Sequence, residues 1–261
     1  MKRIGFIGMG NMAQAIASGW IGRKLLTGDQ VYAYAPHYDK LEKNAERIGF
    51  TPCRDRDEMI AACDIILMAC KPYQIEGVLE GTRDLLKGKA LLSVAAGWNY
   101  GKYAGFLDPS TRFQYIMPNT PAMVGEGVLL FEETNSLTEE ESREVRELFA
   151  ALGRVETIPD RLMGIATAIS GCGPAFVDMV IEALGDAGVK YGLPRNQAYA
   201  LSAQMILGSA RLQLETGEHP GILKDKVCSP AGTTIRGVDA LEHNAVRAAF
   251  IDAVDAVMDM E

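Results

Sequence analysis

Residues 228–237, CSPAGTTIRG, place Ser229, Gly232, Thr233 and Thr234 directly ahead of a helical pattern, with no His, Asp or Glu among them. Hydroxyls, backbone N–H groups and the positive end of a helix dipole suit such a segment to holding a carboxylate or another polar ligand. It has no His, Asp or Glu to exchange a proton near neutral pH, and Ser and Thr are also ordinary helix caps. A second chemical stretch lies at the other end of the chain. Residues 5–13, GFIGMGNMA, contain G-x-G-x-x-A at Gly8, Gly10 and Ala13. Gly8 would allow a tight strand-to-helix turn, and Gly10 would let the backbone approach a pyrophosphate. Ala13 would allow close helix-to-strand packing, with the phosphates resting on N–H groups around Asn11 and Met12.

The elements that must position these residues follow from periodicity. Short apolar runs at 3–8, 31–35, 64–70, 90–96, 113–117, 127–131 and 154–158 alternate with helical segments. This is the pattern of a parallel sheet covered by helices on both faces. Thr138 with Glu141 reads as a capping box, and Gly153 as the stop of the helix it opens. Ligands of such sheets bind beyond the carboxyl ends of the strands. Those ends carry ACKPY, AAGW and MPNTPAMVGEG, which makes Ala69, Lys71, Pro72, Ala96, Asn119 and Thr120 cofactor neighbours. The second strand ends at Ala35 and Pro36, where a carboxylate would favour NAD by repelling a 2′-phosphate. Its absence indicates NADP(H), with His37 and Arg54 or Arg56 as phosphate contacts. The alternative for either arginine is a solvated surface charge.

Beyond Pro159 the strand signal ends, and helical segments remain at 161–169, 174–191, 195–215 and 233–260. The second of these is apolar nearly all round, with a narrow polar stripe at Asp178, Glu182 and Asp186. About 100 residues cannot easily cover such a helix, so a homodimer is expected. The domains are accordingly 1–159, a dinucleotide-binding Rossmann-type α/β domain, and 160–261, an all-α dimerisation and substrate-binding domain.

Composition narrows the classes. The chain has 261 residues, 48% hydrophobic and 23% charged, with a formal net charge of -8, which disfavours nucleic acid and anionic membranes as partners. Five cysteines without C-x-x-C spacing fit a reduced cytoplasmic setting and packing roles, and no metal site is expected. The basic-then-apolar start mimics a signal peptide, but its glycines serve the turn described above, and no apolar run reaches bilayer-spanning length.

These segments, together with KP at 71–72, AAG at 95–97, NTP at 119–121, SGCGPAF, DAGVKYGLPR and HPGILKD, resemble the pyrroline-5-carboxylate reductases over nearly the whole chain. CSPAGTTIRGVDALE is the most specific of them. The resemblance implies an N-terminal Rossmann domain, a C-terminal helical dimerisation domain and an active site assembled from both subunits. It further implies reduction of 1-pyrroline-5-carboxylate to L-proline with NADPH, or NADH. Ser229, Gly232 and Thr233 would hold the carboxylate, and Thr234 would hydrogen-bond the ring nitrogen as the catalytic residue. Dimers can assemble further into rings. The chain departs from the family in having APHY after the second strand, Arg56 where some members have Asn, and Lys226 where others have a neutral amide.

Two other readings compete. A β-hydroxyacid dehydrogenase needs a lysine about four residues after a Gly-x-Gly, but Gly171 and Gly173 are followed by Pro174, Ala175, Phe176, Val177 and Asp178. An NADPH-binding regulatory protein without turnover would be expected to have lost the second cluster, which is intact.

Overall fold

The computed structural model describes residues 2–259. Along the chain run β1 (Ile4–Ile7), α1 (Asn11–Gly22), β2 (Val31–Tyr34), α2 (Tyr38–Ile48), β3 (Thr51–Cys53), α3 (Arg56–Ala62), β4 (Ile65–Met68), α4 (Ile75–Thr82), β5 (Ala90–Ser93), α5 (Tyr100–Ala104), β6 (Arg112–Pro118), β7 (Gly127–Glu132), α6 (Glu139–Ala150) and β8 (Gly153–Ile158). Then follow α7 (Met163–Thr167), α8 (Gly173–Lys190), α9 (Arg195–Thr216), α10 (Pro220–Val227), α11 (Thr233–His243) and α12 (Val246–Met258). The chain divides into two compact units, Met1–Gly171 and Cys172–Glu261.

In the first unit an eight-stranded sheet runs β3-β2-β1-β4-β5-β6-β7-β8. The apolar strand runs are buried on both faces because successive side chains point to opposite sides. Ile4 and Phe6, with Ile65 and Leu67, enter one hydrophobic layer with Trp20 and Phe149. Ile7, Ile66 and Met68 enter the other, with Met59, Tyr103 and Phe113. Buried Trp20 keeps its polar edge satisfied by donating from Nε1 to the Leu148 carbonyl at 2.8 Å. Met163 and Ala166 pack into the second layer, so α7 belongs to the sheet unit.

Three features differ from the expected pattern here. β3 is an additional strand, three residues long and containing Pro52, and it pairs only with β2. An edge tolerates the missing N–H of proline, and so short a run carries little periodic signal. β7 runs antiparallel to β6, while every other pairing is parallel. Gly153 does not close α6, which ends at Ala150; it opens β8 at φ +146, where a Cβ would meet the Gly127 carbonyl oxygen at 2.0 Å. The capping box does form: the Glu141 N–H donates to Thr138 Oγ1 at 3.2 Å, and the Thr138 N–H to Glu141 Oε2 at 3.0 Å.

The second unit is helical throughout. α8 and α9 pack as a hairpin whose contact depends on small residues: a Cβ on Gly185 would meet the Tyr199 ring at 2.3 Å, and one on Gly188 would meet Ala198 at 2.9 Å. Among its described helical residues only Gly185, Ala198 and Ser202 are buried. HPGILKDKV, expected between helices, itself forms α10. The last expected helix is two, because Ala245 adopts a left-handed φ of +55 between α11 and α12.

One expectation about length is overturned. Ala168–Cys172 is a π-helical turn that joins α7 to α8 instead of breaking them apart. Asp160–Lys190 is therefore an uninterrupted helical stretch of 31 residues, long and apolar enough to cross a bilayer by length and composition.

Candidate dinucleotide and substrate sites

A cavity of about 750 Å³ opens at the carboxyl ends of β1, β2, β4 and β5. That is within the size range of cofactor clefts. Gly8 stands at its floor with φ +100, and its N–H donates to the Tyr34 carbonyl at 2.8 Å. A Cβ on Gly8 would lie 2.8 Å from the backbone of Ala69 and Cys70, so the chain leaving β1 passes the end of β4 too closely for any residue but glycine. Gly10 caps α1 and lines the cavity, and a Cβ there would meet nothing within 4 Å. α1 has no side-chain cap and no acidic residue in its first turn. Its first N–H groups and its dipole thus face the cavity without a competing anion. The arrangement fits a pyrophosphate.

The walls gather most of the residues singled out in the sequence. Asn11, Met12, Pro36, Arg56, Ala69, Lys71, Pro72 and Ala96 line the same cavity as Gly8 and Gly10, as does His37. The lining has four basic side chains, His37, Lys40, Arg56 and Lys71, and no Asp or Glu. Arg56 is partly committed, with Nε 2.8 Å from Asp57 Oδ1 and one terminal nitrogen 3.5 Å from the Gly81 carbonyl. Arg54 lies outside the lining and stacks on the Tyr38 ring at 3.7 Å.

Asn119 and Thr120 do not line the cavity. The Asn119 side chain is buried; its Oδ1 accepts from the Val128 N–H and its Nδ2 donates to the Ser170 carbonyl, each at 2.9 Å. It joins the end of β6 to β7 and to the π turn. Lys40 and Asn44, one turn apart on α2, line the cavity and went unremarked in the sequence. Their signal was there: both follow His37 at helical spacing on the element after β2.

Cys53, Cys63 and Cys70 pack into the second hydrophobic layer of the sheet. Burial pushes the Cys63 thiol up to about 12 and the Cys70 thiol up to about 11, away from thiolate chemistry. All five are free.

In the helical unit, Gly232 is the N-cap of α11, which has no side-chain cap bond and no acid in its first turn. The Gly232 N–H donates to the Ser229 carbonyl at 3.0 Å, closing a tight turn in which Ala231 takes φ +57. A Cβ on Gly232 would lie 2.3 Å from Ser229 Oγ. Glycine is therefore what allows the serine hydroxyl to sit over the helix start. Thr233 and Thr234 begin the helix and are exposed. Among the described residues, none of the hydroxyls of Ser229, Thr233 and Thr234 has a hydrogen-bond partner. Three unpartnered hydroxyls at an uncapped helix start can receive a carboxylate and a second polar atom.

Lys226, the departure for which the sequence offered no reason, has a partner. Its Nζ bonds both carboxylate oxygens of Glu218, at 2.5 and 2.6 Å, tying the last turn of α10 to the segment before it.

A glycine turn from parallel strand to helix, a basic cleft beside it and a following helical unit define a nicotinamide-dependent reductase of the Rossmann class. Residues 3–97 match the family model described as NADP oxidoreductase coenzyme F420-dependent, and residues 160–261 match that for pyrroline-5-carboxylate reductase dimerisation. The chain is 40% identical over 259 residues to the pyrroline-5-carboxylate reductase of Escherichia coli K12, covering 99% of this chain and 96% of that one. It is also 40% identical to that of Treponema pallidum, covering 98% of each. A crystal structure of Plasmodium falciparum pyrroline carboxylate reductase with NADP bound superposes with a TM-score of 0.89 at 32% identity, over 99% of this chain and 96% of the other. The chain belongs to the pyrroline-5-carboxylate reductase family and is an NAD(P)H-dependent reductase.

Proposed function

We propose that positioning, without a side-chain acid, is how this chain reduces 1-pyrroline-5-carboxylate to L-proline, the last step of proline biosynthesis. The observation that carries this reading is the set of unpartnered hydroxyls at the uncapped start of α11. Ser229, Gly232 and Thr233 receive the substrate carboxylate through hydroxyl and N–H donors, helped by the helix dipole. Thr234 hydrogen-bonds the ring nitrogen. That nitrogen arrives protonated or takes its proton from solvent through the Thr234 hydroxyl, so the lack of His, Asp or Glu in the segment is no obstacle. When bound, NADPH or NADH supplies the hydride. Gly8, Gly10, Asn11 and Met12 seat its pyrophosphate; Pro36, Arg56, Ala69, Lys71, Pro72 and Ala96 shape the cavity around the rest.

The labour divides between residues 1–159, which bind the dinucleotide, and 160–261, which bind substrate and a second copy of the chain. A homodimer is supported by the exposure of large apolar side chains in the helical unit, among them Met179 at 69%, Leu214 at 63% and Ile251 at 62%. The same cover accounts for the apolar stretch 160–190 without a membrane, since Asp178, Glu182 and Asp186 lie exposed along it. Five unpaired cysteines support a cytoplasmic setting.

The test is consumption of NADPH when pyrroline-5-carboxylate is added, with 3-hydroxyacids and simple ketones as controls. Thr234→Ala is expected to lower turnover by about 10²-fold while NADPH affinity stays at the wild-type value. Unchanged turnover would remove Thr234 from the reaction.

A further inference from the structure

The cavity wall at the end of β2 draws its polar groups from an unexpected place. Directly after this strand, Ala35 has no polar side-chain atom and Pro36 has no N–H to donate. The polar groups here come one turn later, from α2. His37 is its N-cap without a side-chain cap bond, and Lys40 and Asn44 project from the same face into the cavity. Asp39, the acid of the first turn, is not part of the lining, and neither are Glu42 and Lys43.

The cations of this wall differ in what they already hold. Arg56 is paired with Asp57, which offsets part of its charge. Among the described residues, Lys40 makes no ion pair and no side-chain hydrogen bond, and it lies in the first turn of α2, where the dipole adds to the attraction for an anion.

We propose that Lys40 sets this chain's selectivity for a dinucleotide carrying a 2′-phosphate, with Asn44 and His37 as further hydrogen-bonding groups beside it. This deepens the reading of the cavity as the cofactor site and rests on it. The ammonium gives a 2′-phosphate a charge-assisted hydrogen bond that a 2′-hydroxyl cannot match. Because Lys40 is an exposed side chain without an intramolecular partner, its removal leaves the fold intact.

The experiment is a calorimetric titration of the full-length chain with NADP⁺, NAD⁺, 2′,5′-ADP and 5′-ADP, which reads binding without turnover. Lys40→Ala is expected to weaken NADP⁺ and 2′,5′-ADP ~10-fold, with NAD⁺ and 5′-ADP changed less than about twofold. Lys40→Glu weakens the phosphorylated pair further, and Lys40→Arg restores most of it. Arg56→Ala changes the NADP⁺ to NAD⁺ ratio less than Lys40→Ala does. A Lys40→Ala variant that binds all four ligands as the wild type does, or weakens both pairs alike, overturns the proposal and leaves the cavity a cofactor site. Equal wild-type affinity for NADP⁺ and NAD⁺ overturns it as well. A wild-type chain that binds neither dinucleotide removes the cofactor reading itself.

Discussion

Gly8 and Gly10 belong to one motif, yet the space around them gives them different duties. Gly8 combines a φ of +100 with backbone 2.8 Å from where a Cβ would sit, so Gly8→Ala must move the end of β4 or the turn itself. It is expected to lower the melting temperature by several degrees, corresponding to roughly 2 kcal/mol or more. Gly10→Ala meets open space and should leave the melting temperature nearly unchanged, while dinucleotide affinity is expected to fall because the methyl group would crowd the proposed pyrophosphate site. Thermal melts beside titrations separate the two. A different residue-level balance holds at Glu141, whose carboxylate accepts from Arg112 Nε at 2.7 Å and from a terminal nitrogen at 2.8 Å. The Arg112 guanidinium holds the Glu141 carboxyl below its ordinary 4.5. A depressed carboxyl contributes stability that is present above 4.5 and lost as pH falls through the lower folded value. Arg112→Met should therefore melt well below the wild type at neutral pH, and the gap should shrink steadily below 4.5; a gap independent of pH would contradict the pairing.

At the scale of elements, the π turn between α7 and α8 is held by a residue far away in sequence. The Ser170 carbonyl, displaced from a regular helical ladder, is taken by Asn119 Nδ2. Asn119→Ala would leave that carbonyl and the Val128 N–H without their buried partner, at a cost of about 1–3 kcal/mol for each group. The variant should unfold at lower denaturant with an unchanged m-value, and Asn119→Asp, which keeps the acceptor alone, should fall between it and the wild type. Signals in NTP and SGCG were each visible in the sequence, but the bond between them was not. The same holds for Gly153: a glycine after a helix reads as a stop, while its place opposite Gly127 in β8 depends on a pairing that local residues do not encode. The strong local codes did fix their elements. The Thr138–Glu141 box starts α6, and the unbroken apolar runs became the buried strands β1, β4 and β5. Weak local codes did not, as β3 with its Pro52 and the break at Ala245 show.

For the whole molecule the helical unit poses the largest energetic question, because its long helices leave Leu201, Leu207, Leu212, Leu214 and Phe250 between 45% and 63% exposed. Covering an apolar side chain of this kind is worth about 1.5–3 kcal/mol when complete. In the proposed homodimer a second copy of the same surface would supply that cover. Sedimentation at micromolar concentration is expected to give a dimer mass or a multiple of it, and the melting temperature should rise with protein concentration. A monomer that melts at the same temperature over a hundredfold dilution would contradict this.

The sequence by itself determined the strand-turn-helix around Gly8 and Gly10, the hydroxyl-bearing start of α11 and the shift from sheet to helices, because each is encoded by residues within a few positions of one another. Only the tertiary structure decided that Lys40 and Asn44 line the cavity at the ends of β1 and β2, that Asn119 faces the π turn instead, and that Lys226 answers Glu218. Side-chain surroundings are set by which elements pack together and at what register. Those depend on burial summed over the whole fold, a quantity no short stretch of residues contains.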